Sequence, residues 1–332
     1  MNGSLKLYDE SGRVVYNGAA NGGVDTSAMK LPAGKYWGDF GFPLVEPVLT
    51  VPVMPATPPA AVSNCPVLAF HDTFNPGPWP AIANQISNHG PIAGPVRWVA
   101  HPPYGSDFTD GGFFGDVWNM GVNPPVPWGN GGPYSTDNGY LEINAFTVSD
   151  GSWRCGLLSS VDSKGAGFSA SAPSYWECCK WCPALKWNDA PNTPGMWPAF
   201  WLDGVNGIAG APSFGGDAAE IDIIEAYSID YTKFHQNWHT WNGGRQVAAW
   251  GNMVDAGVDL SAGWHTFGIW INSDLTHWFF DRAETWTYPT QPSQLLPLYC
   301  MINFAQGGGF PVNVIRQNNY KMRVAYVACW TH

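Results

Sequence analysis

The sequence predicts an all-β fold, and three features of its 332 residues carry that prediction. Aromatic residues make up 15% of the chain against only 12% charged residues, Gly (39) and Pro (29) are abundant, and the apolar runs are short. None of those runs keeps a 3.6-residue period beyond a turn or two, and most end at Gly or Pro. This is the pattern of many short strands joined by turn-rich loops, a β-sandwich or barrel. The length exceeds the roughly 250–300 residues at which a single core stops growing, so one large domain and one small one are expected.

Residues 1–51 predict a small β module: Ser4–Tyr8, Arg13–Tyr16, Gly34–Trp37 and Pro47–Val51 read as strands, with a hairpin turn at Asp9-Glu10-Ser11-Gly12. Residues 52–64, opening on Pro52-Val53-Met54-Pro55-Ala56-Thr57-Pro58-Pro59, read as a stiff Pro-rich linker. The main domain is expected over 65–332. Its strand-like runs are Val67–Phe70, Tyr140–Phe146, Cys155–Ser160, Tyr175–Trp181, Met196–Leu202 and Ala219–Ala226, then Gly263–Ile271, Thr276–Asp281, Leu298–Phe304 and Met322–Trp330. Between the first two lies Pro76–Pro133, rich in Gly, Pro, Asn and Trp. A loop of that length shapes a binding surface more often than it merely connects elements.

The 19 Trp residues exceed what a core needs, because each buried indole N–H must find a partner. Flat apolar platforms for sugar rings account for the excess. The net charge of −11 argues against nucleic-acid binding, which needs a basic face. No stretch reaches 18 apolar residues, so no membrane span is expected. Met1-Asn2-Gly3-Ser4 has neither a basic nor an apolar leader region, so no signal peptide is expected, and the chain reads as an extracellular or released protein acting as a monomer. Cys179-Lys180-Trp181-Cys182 has the spacing of half a zinc site without a second half. Buried thiols or one or two disulfides are expected for the seven cysteines.

The chemistry concentrates in Glu220-Ile221-Asp222-Ile223-Ile224-Glu225. Glu220 and Asp222, at i and i+2, share one face of a strand. Glu225, at i+5, faces the other way unless a β-bulge at Ile223-Ile224 absorbs one residue. With the bulge the two Glu Cα atoms lie about 13 Å apart, four steps of ~3.3 Å. Inclined side chains then approach the roughly 5–5.5 Å carboxyl separation of retaining glycosidases. A solvated strand edge explains Glu220 and Asp222 but not Glu225. A calcium shell needs more oxygens than one strand supplies.

These residues and their neighbours resemble the family 16 glycoside hydrolases, in particular the laminarinase-like members. The resemblance rests on Trp197-Pro198-Ala199-Phe200-Trp201-Leu202, on the six-residue Glu220–Glu225 signature in its bulge-containing form, and on His235-Gln236-Asn237-Trp238-His239. Trp264-His265-Thr266-Phe267, Asn303-Phe304-Ala305-Gln306-Gly307-Gly308 and Met322–Val327 extend it over Cys65–His332. It implies a concave β-jelly-roll sandwich with an open cleft, endo-action on a polysaccharide with retention, no cofactor, and neighbouring first and last strands that bring Cys65 and Cys329 close enough to pair. By position Glu220 becomes the nucleophile, Asp222 its assistant and Glu225 the acid/base. Many members carry an Asp in the last strand that helps hold calcium; Ala325 replaces it. Cys155-Gly156-Leu157 stands where Ser-Gly-Arg is frequent, and Tyr175–Cys179 where Phe-Glu-Ala-Arg is usual.

Substrate contacts are expected from Trp197 and Trp201, which are four apart on one strand face, and from His239, Trp238, Trp241 and Asn303. Trp197 is favoured as the cleft residue, His239 as a partner of the acid/base or a sugar hydroxyl, and His235 as structural. Tyr104, Trp118 and Trp128 are candidates for outer subsites. The polymer is a β-1,3-glucan, a related exopolysaccharide or a galactan. The alternatives are a transglycosylase and a non-catalytic polysaccharide-binding protein on the same scaffold.

Overall fold

The computed structural model describes residues 2–8, 14–21, 37–41, 49–75, 85–87, 91–104, 133–136, 138–147, 153–186, 196–228, 230–306 and 320–332. The chain divides into two units, Met1–Thr50 and Val51–His332. The first holds an antiparallel sheet in which β1 (Asn2–Tyr8) lies between β2 (Val14–Asn21) and β3 (Trp37–Gly41). The turn expected at residues 9–12 lies outside the described residues.

The larger unit stacks two sheets. The first is assembled from β5 (Ile86–Ser87), β6 (Trp98–Val99), β10 (Leu157–Ser159), β12 (Met196–Gly204), β13 (Ala218–Glu225), β14 (Lys233–Asn242), β15 (Arg245–Asp255) and β19 (Leu298–Gln306), in the order β15-β14-β13-β12-β19-β10-β6-β5. The second runs β18-β17-β16-β11-β20-β8-β7: Ala283–Pro289, Leu275–Phe280, His265–Ile271, Ser174–Trp181, Tyr320–Thr331, Leu141–Thr147 and Tyr134–Ser135. Strand β4 (Val67–Asp72) adds to β20, and β9 (Trp153–Arg154) to β8. Strand β4 opens the main domain and β20 closes it, and they are antiparallel neighbours, with Phe70 opposite Cys329.

The ten runs expected after residue 65 are all strands, with ends shifted by a few residues. Strands β14, β15 and β18 were not expected. In β14 the core-facing positions are Phe234, Gln236, Trp238 and Thr240, too polar to read as a buried alternation. Strand β15 is an edge strand with most residues exposed, so burial imposes no apolar period on it. The segment expected as one long loop contains the short strands β5 and β6.

The core between the sheets is built from the inward faces, including Trp98, Trp176, Trp278, Phe200, Ile221, Ile223 and Phe234. Each buried large side chain contributes on the order of 1.5–3 kcal/mol. A second apolar cluster lies on the outer face of the second sheet and includes Val51, Met54, Val62 and Cys65 against Tyr175, Tyr326 and Trp330. Residues 51–64 are therefore seated on that sheet. Beneath them buried Glu177 accepts hydrogen bonds from Tyr175 Oη (2.6 Å), Tyr326 Oη (2.8 Å) and Arg282 Nε (2.9 Å), and Arg282 also donates to the Thr57 carbonyl. Ala325 lies in this apolar cluster and brings no side-chain oxygen to it.

All seven cysteines are buried free thiols, which removes the expected Cys65–Cys329 disulfide although their strands are neighbours. Cys179 and Cys182 belong to different apolar clusters, on opposite faces of the sheet, so they do not form half a metal site. Lys180, between them, is buried with no hydrogen-bond partner for Nζ among the described residues, and Nζ lies 5.5 Å from the Phe267 ring centroid. Burial lowers its pKa to about 8.

Candidate active site

Strand β13 carries the carboxylates, and its register explains how. Asp222 pairs with Asn237 and Glu225 with His235, so Ile223 and Ile224 together oppose only Gln236. On the other side Phe200 pairs with Ile224 and Trp201 with Asp222, which leaves Ile223 as the inserted residue. This is the bulge the sequence requires, and it sits where it was expected. Ile223 and Ile224 are both buried in the core, and Glu225 returns to the face of Glu220 and Asp222.

That face is completed by the neighbouring strands. On β12 the residues opposite the carboxylates are Asp203, Trp201 and Ala199, with Trp197 two further on. On β14 every second residue points the same way, giving His235, Asn237, His239 and Trp241. Together with Asn303 of β19 and Tyr104, these walls enclose a cleft of about 270 Å³ over the three carboxylates. Trp197, Trp201, Trp241 and Asn303 thus all line it, as expected. Trp238 does not. It is 4% exposed, lies on the opposite face of β14 and packs against Tyr288 in the core. Alternation forces this, since Trp238 lies between two cleft-facing residues. Trp118 and Trp128 lie outside the described residues.

Each carboxylate has its own set of partners. Trp241 Nε1 donates to Glu220 Oε2 at 2.7 Å. Glu225 accepts from Asn237 Nδ2 at 2.6 Å, Trp197 Nε1 at 3.1 Å and Tyr227 Oη at 3.3 Å. His239 faces Asp222 (Nε2 to Oδ2, 3.4 Å), not Glu225, and its Nδ1 lies 2.9 Å from Gln246 Oε1. With Gln246 Oε1 and an ionised Asp222 both accepting, the arrangement favours a ring protonated on both nitrogens. Burial opposes that charge, but the Asp222 hydrogen bond and the Asp222 and Glu220 charges raise His239 to about 9. Trp201 Nε1 donates to Asn303 Oδ1 at 2.8 Å, leaving the buried Asn303 Nδ2 without a partner among the described residues.

Glu220 and Asp222 are both pushed above the ordinary carboxylate range, first by burial. The charge of Glu225 pushes both further up, while His239 lowers both, and the Trp241 N–H also lowers Glu220. Burial thus favours the protonated forms of Glu220 and Asp222, and the His239 charge favours their ionised forms. Ligand atoms of Glu220, Asp222 and His239 lie within 4.8 Å of one another. The raised His239 pKa favours the protonated ring, which has no lone pair to offer a metal.

Asn237, Tyr227 and Asp203 were not singled out from the sequence. Asn237 is legible in retrospect, as the residue two before His239 on the same strand face. Nothing in the sequence marks Tyr227, which follows the strand and stacks on Trp197 (centroids 5.8 Å apart).

A stacked two-sheet sandwich with a carboxylate row in a Trp-walled cleft defines the class of carbohydrate-acting sandwich proteins. Residues 140–308, half of the chain, match the family described as Glycosyl hydrolases family 16. The chain belongs to that family. Two curated relatives from Rhizobium meliloti (strain 1021) are similar to it. Endo-1,3-1,4-beta-glycanase EglC is 26% identical over 249 residues, covering 71% of this chain and 47% of the relative. Endo-1,3-1,4-beta-glycanase ExsH is 25% identical over 222 residues, covering 63% and 42%. The chain spans about half the length of these relatives. Among solved structures, the catalytic domain of an endo-1,3-beta-glucanase (laminarinase) from Thermotoga petrophila RKU-1 superposes with a TM-score of 0.52 at 19% identity, over 79% of this chain and 96% of that one. It shares the jelly-roll sandwich fold.

Proposed function

We propose that the protein is an endo-acting, retaining β-glucan hydrolase, with Glu220 as nucleophile and Glu225 as acid/base. The observation that carries this reading is the bulged strand, which puts Glu220 and Glu225 on one cleft face, each held by different donors. A Glu220 oxygen attacks the anomeric carbon and forms the glycosyl–enzyme bond as the glycosidic C–O bond breaks. The proton of Glu225 passes to the leaving sugar oxygen. Water then attacks the anomeric carbon, gives its proton to Glu225 and releases Glu220. Trp241 fixes the Glu220 carboxylate, and the His239 imidazolium favours its ionised form. Asn237, Trp197 and Tyr227 set the rotamer of Glu225.

The family membership and the names of the relatives, endo-1,3-1,4-beta-glycanases and an endo-1,3-beta-glucanase, point to a β-1,3- or mixed β-1,3-1,4-glucan. The test has three arms: a panel of glucans and galactans, NMR of the first-formed anomer, and Glu220→Gln. The expected result is β-anomer from a β-glucan, with mid-chain cuts, and less than about a hundredth of the activity in the variant. First-formed α-anomer, or a Glu220→Gln variant that remains active, overturns the assignment.

A further inference from the structure

A second cavity, of about 560 Å³, opens at the Glu220 end of the cleft. It continues the line of β13 beyond Glu220, among the turns where the strands end. One wall is the 206–209 turn after β12, another the approach to β13 at 216–218, and a third the Asn242-Gly243-Gly244 turn between β14 and β15. It shares Tyr104, Glu220 and Trp241 with the catalytic cleft, so the two spaces are continuous at the nucleophile. Its volume falls in the range of roughly 300–1,000 Å³ typical of small-ligand sites.

The lining fixes the chemistry of what enters. Three carboxylates face the space: Asp203, Asp217 and Glu220. Asp203 is buried at 6% exposure, and one oxygen accepts the Gly204 N–H at 2.7 Å while the other accepts Tyr299 Oη at 3.2 Å. Asp217 is oriented by Asn242 Nδ2 at 2.7 Å. Trp241 Nε1 and one N–H of Asn242 thus serve Glu220 and Asp217. Toward the cavity the three carboxyl groups supply acceptors between two aromatic walls, Tyr104 and Trp241. An anionic group is repelled there, whereas a neutral, hydroxyl-rich ring supplies the missing donors and an apolar face. Gly243 and Gly244, at φ +56° and +79°, have nothing within 4 Å of where a Cβ would stand, so that wall stays low.

We infer that this cavity receives a neutral sugar branch carried by the main chain next to the scissile bond, so that the enzyme cuts a branched glucan at decorated units. The inference rests on the proposed activity. It predicts tolerance of glycosyl branches and rejection of acidic substituents at the same place.

The experiment compares a linear β-1,3-glucan, the same backbone with single β-1,6-glucosyl branches, and that branched polymer with the branches oxidised to glucuronic acid. Three proteins are used: wild type, Ala209→Trp, which fills the cavity from its exposed rim, and Asp217→Asn, which keeps its size but turns an acceptor into a donor. The expected wild-type result is cutting of the neutral branched glucan within about threefold of the linear one in kcat/KM, with branched units at the new ends. The oxidised polymer should be cut at least tenfold more slowly. Both variants should lose at least tenfold on the neutral branched glucan and stay within twofold on the linear one. Cuts confined to unbranched stretches, or equal losses on both glucans, overturn the inference while leaving the activity intact. If no glucan is cut, the activity reading has failed instead. The cavity is then read without turnover, by saturation transfer to methyl β-glucoside: loss of the signal in Ala209→Trp supports the site, and an unchanged signal overturns it.

Discussion

Gly251 tests whether the hold on Glu225 matters for turnover. It lies on β15 directly opposite Asn237. A Cβ built there would fall well inside 3.0 Å of Asn237 Oδ1 and 3.1 Å from its Cγ. Gly251→Ala must therefore push the amide aside, and that amide makes the shortest hydrogen bond to Glu225, at 2.6 Å. A hydrogen bond to a charged group has a net worth of about 1.5–3 kcal/mol. At ~1.4 kcal/mol per tenfold, its loss lowers kcat/KM by about ten- to a hundredfold. The fold should not suffer, because Gly251 is exposed on an edge strand and Ala there is ~0.5–1 kcal/mol better than Gly in the strand itself. The assay measures kcat/KM for Gly251→Ala, Asn237→Ala and the double variant, on the natural polymer and on an aryl glycoside with a good leaving group. Both single variants should lose similar activity on the polymer, and the double variant no more than either, since one interaction is removed twice. Most of the loss should vanish with the aryl leaving group, which needs no proton. A fully active Gly251→Ala, additive losses, or equal losses on both substrates would refute the reasoning.

Three further expectations follow from the same geometry. His239→Gln removes the cation that lowers Glu220, so the Glu220 carboxyl rises further and the acid limb of the kcat/KM profile moves to higher pH; a limb that stays put or moves toward acid counts against the imidazolium. Lys180 has its pKa lowered from 10.5 to about 8, so the unfolded chain binds more protons between those values and stability rises with pH across that window. Below pH 8 the full penalty applies, so Lys180→Met should stabilise the fold by about 3 kcal/mol at pH 7 in urea unfolding, with the gain fading toward pH 10.5. Deleting Ile223 should leave a regular strand with Glu220, Asp222 and Glu225 still on one face, so turnover persists while about 2–5 kcal/mol of stability is lost with the buried side chain. A folded deletion variant as inactive as Glu225→Gln would show that the bulge does more than set the facing.

The large-scale order was legible because burial writes a period. Strands in the middle of a sheet, such as β11 and β20, are buried over nearly their whole length and appear in the sequence as apolar runs bounded by turns. Where burial is one-sided or absent the signal fades, and β14, β15 and β18 were missed for that reason. The Pro-rich stretch at 52–59 looked like a spacer because proline excludes regular pairing. Proline does not exclude packing, and the structure seats residues 51–64 through Val51, Met54 and Val62.

The carboxylate-bearing strand was legible for a further reason: a parity argument needs only local sequence. Glu225 at an odd offset demands either a bulge or a core carboxylate, and a carboxylate in an apolar core costs too much to keep unpaired. The partners of those carboxylates needed information that parity within one strand cannot give. Asn237 reaches Glu225 only because Asp222 pairs with Asn237 and the bulge then slides Glu225 toward His235. Gly251 matters only because β15 pairs at that register. Trp238 was misplaced by the same gap: once the face of His239 is known, its neighbour must point into the core. A sequence thus displays which groups do the chemistry sooner than which groups aim them, because aiming depends on register between strands, and register is set by the whole sheet.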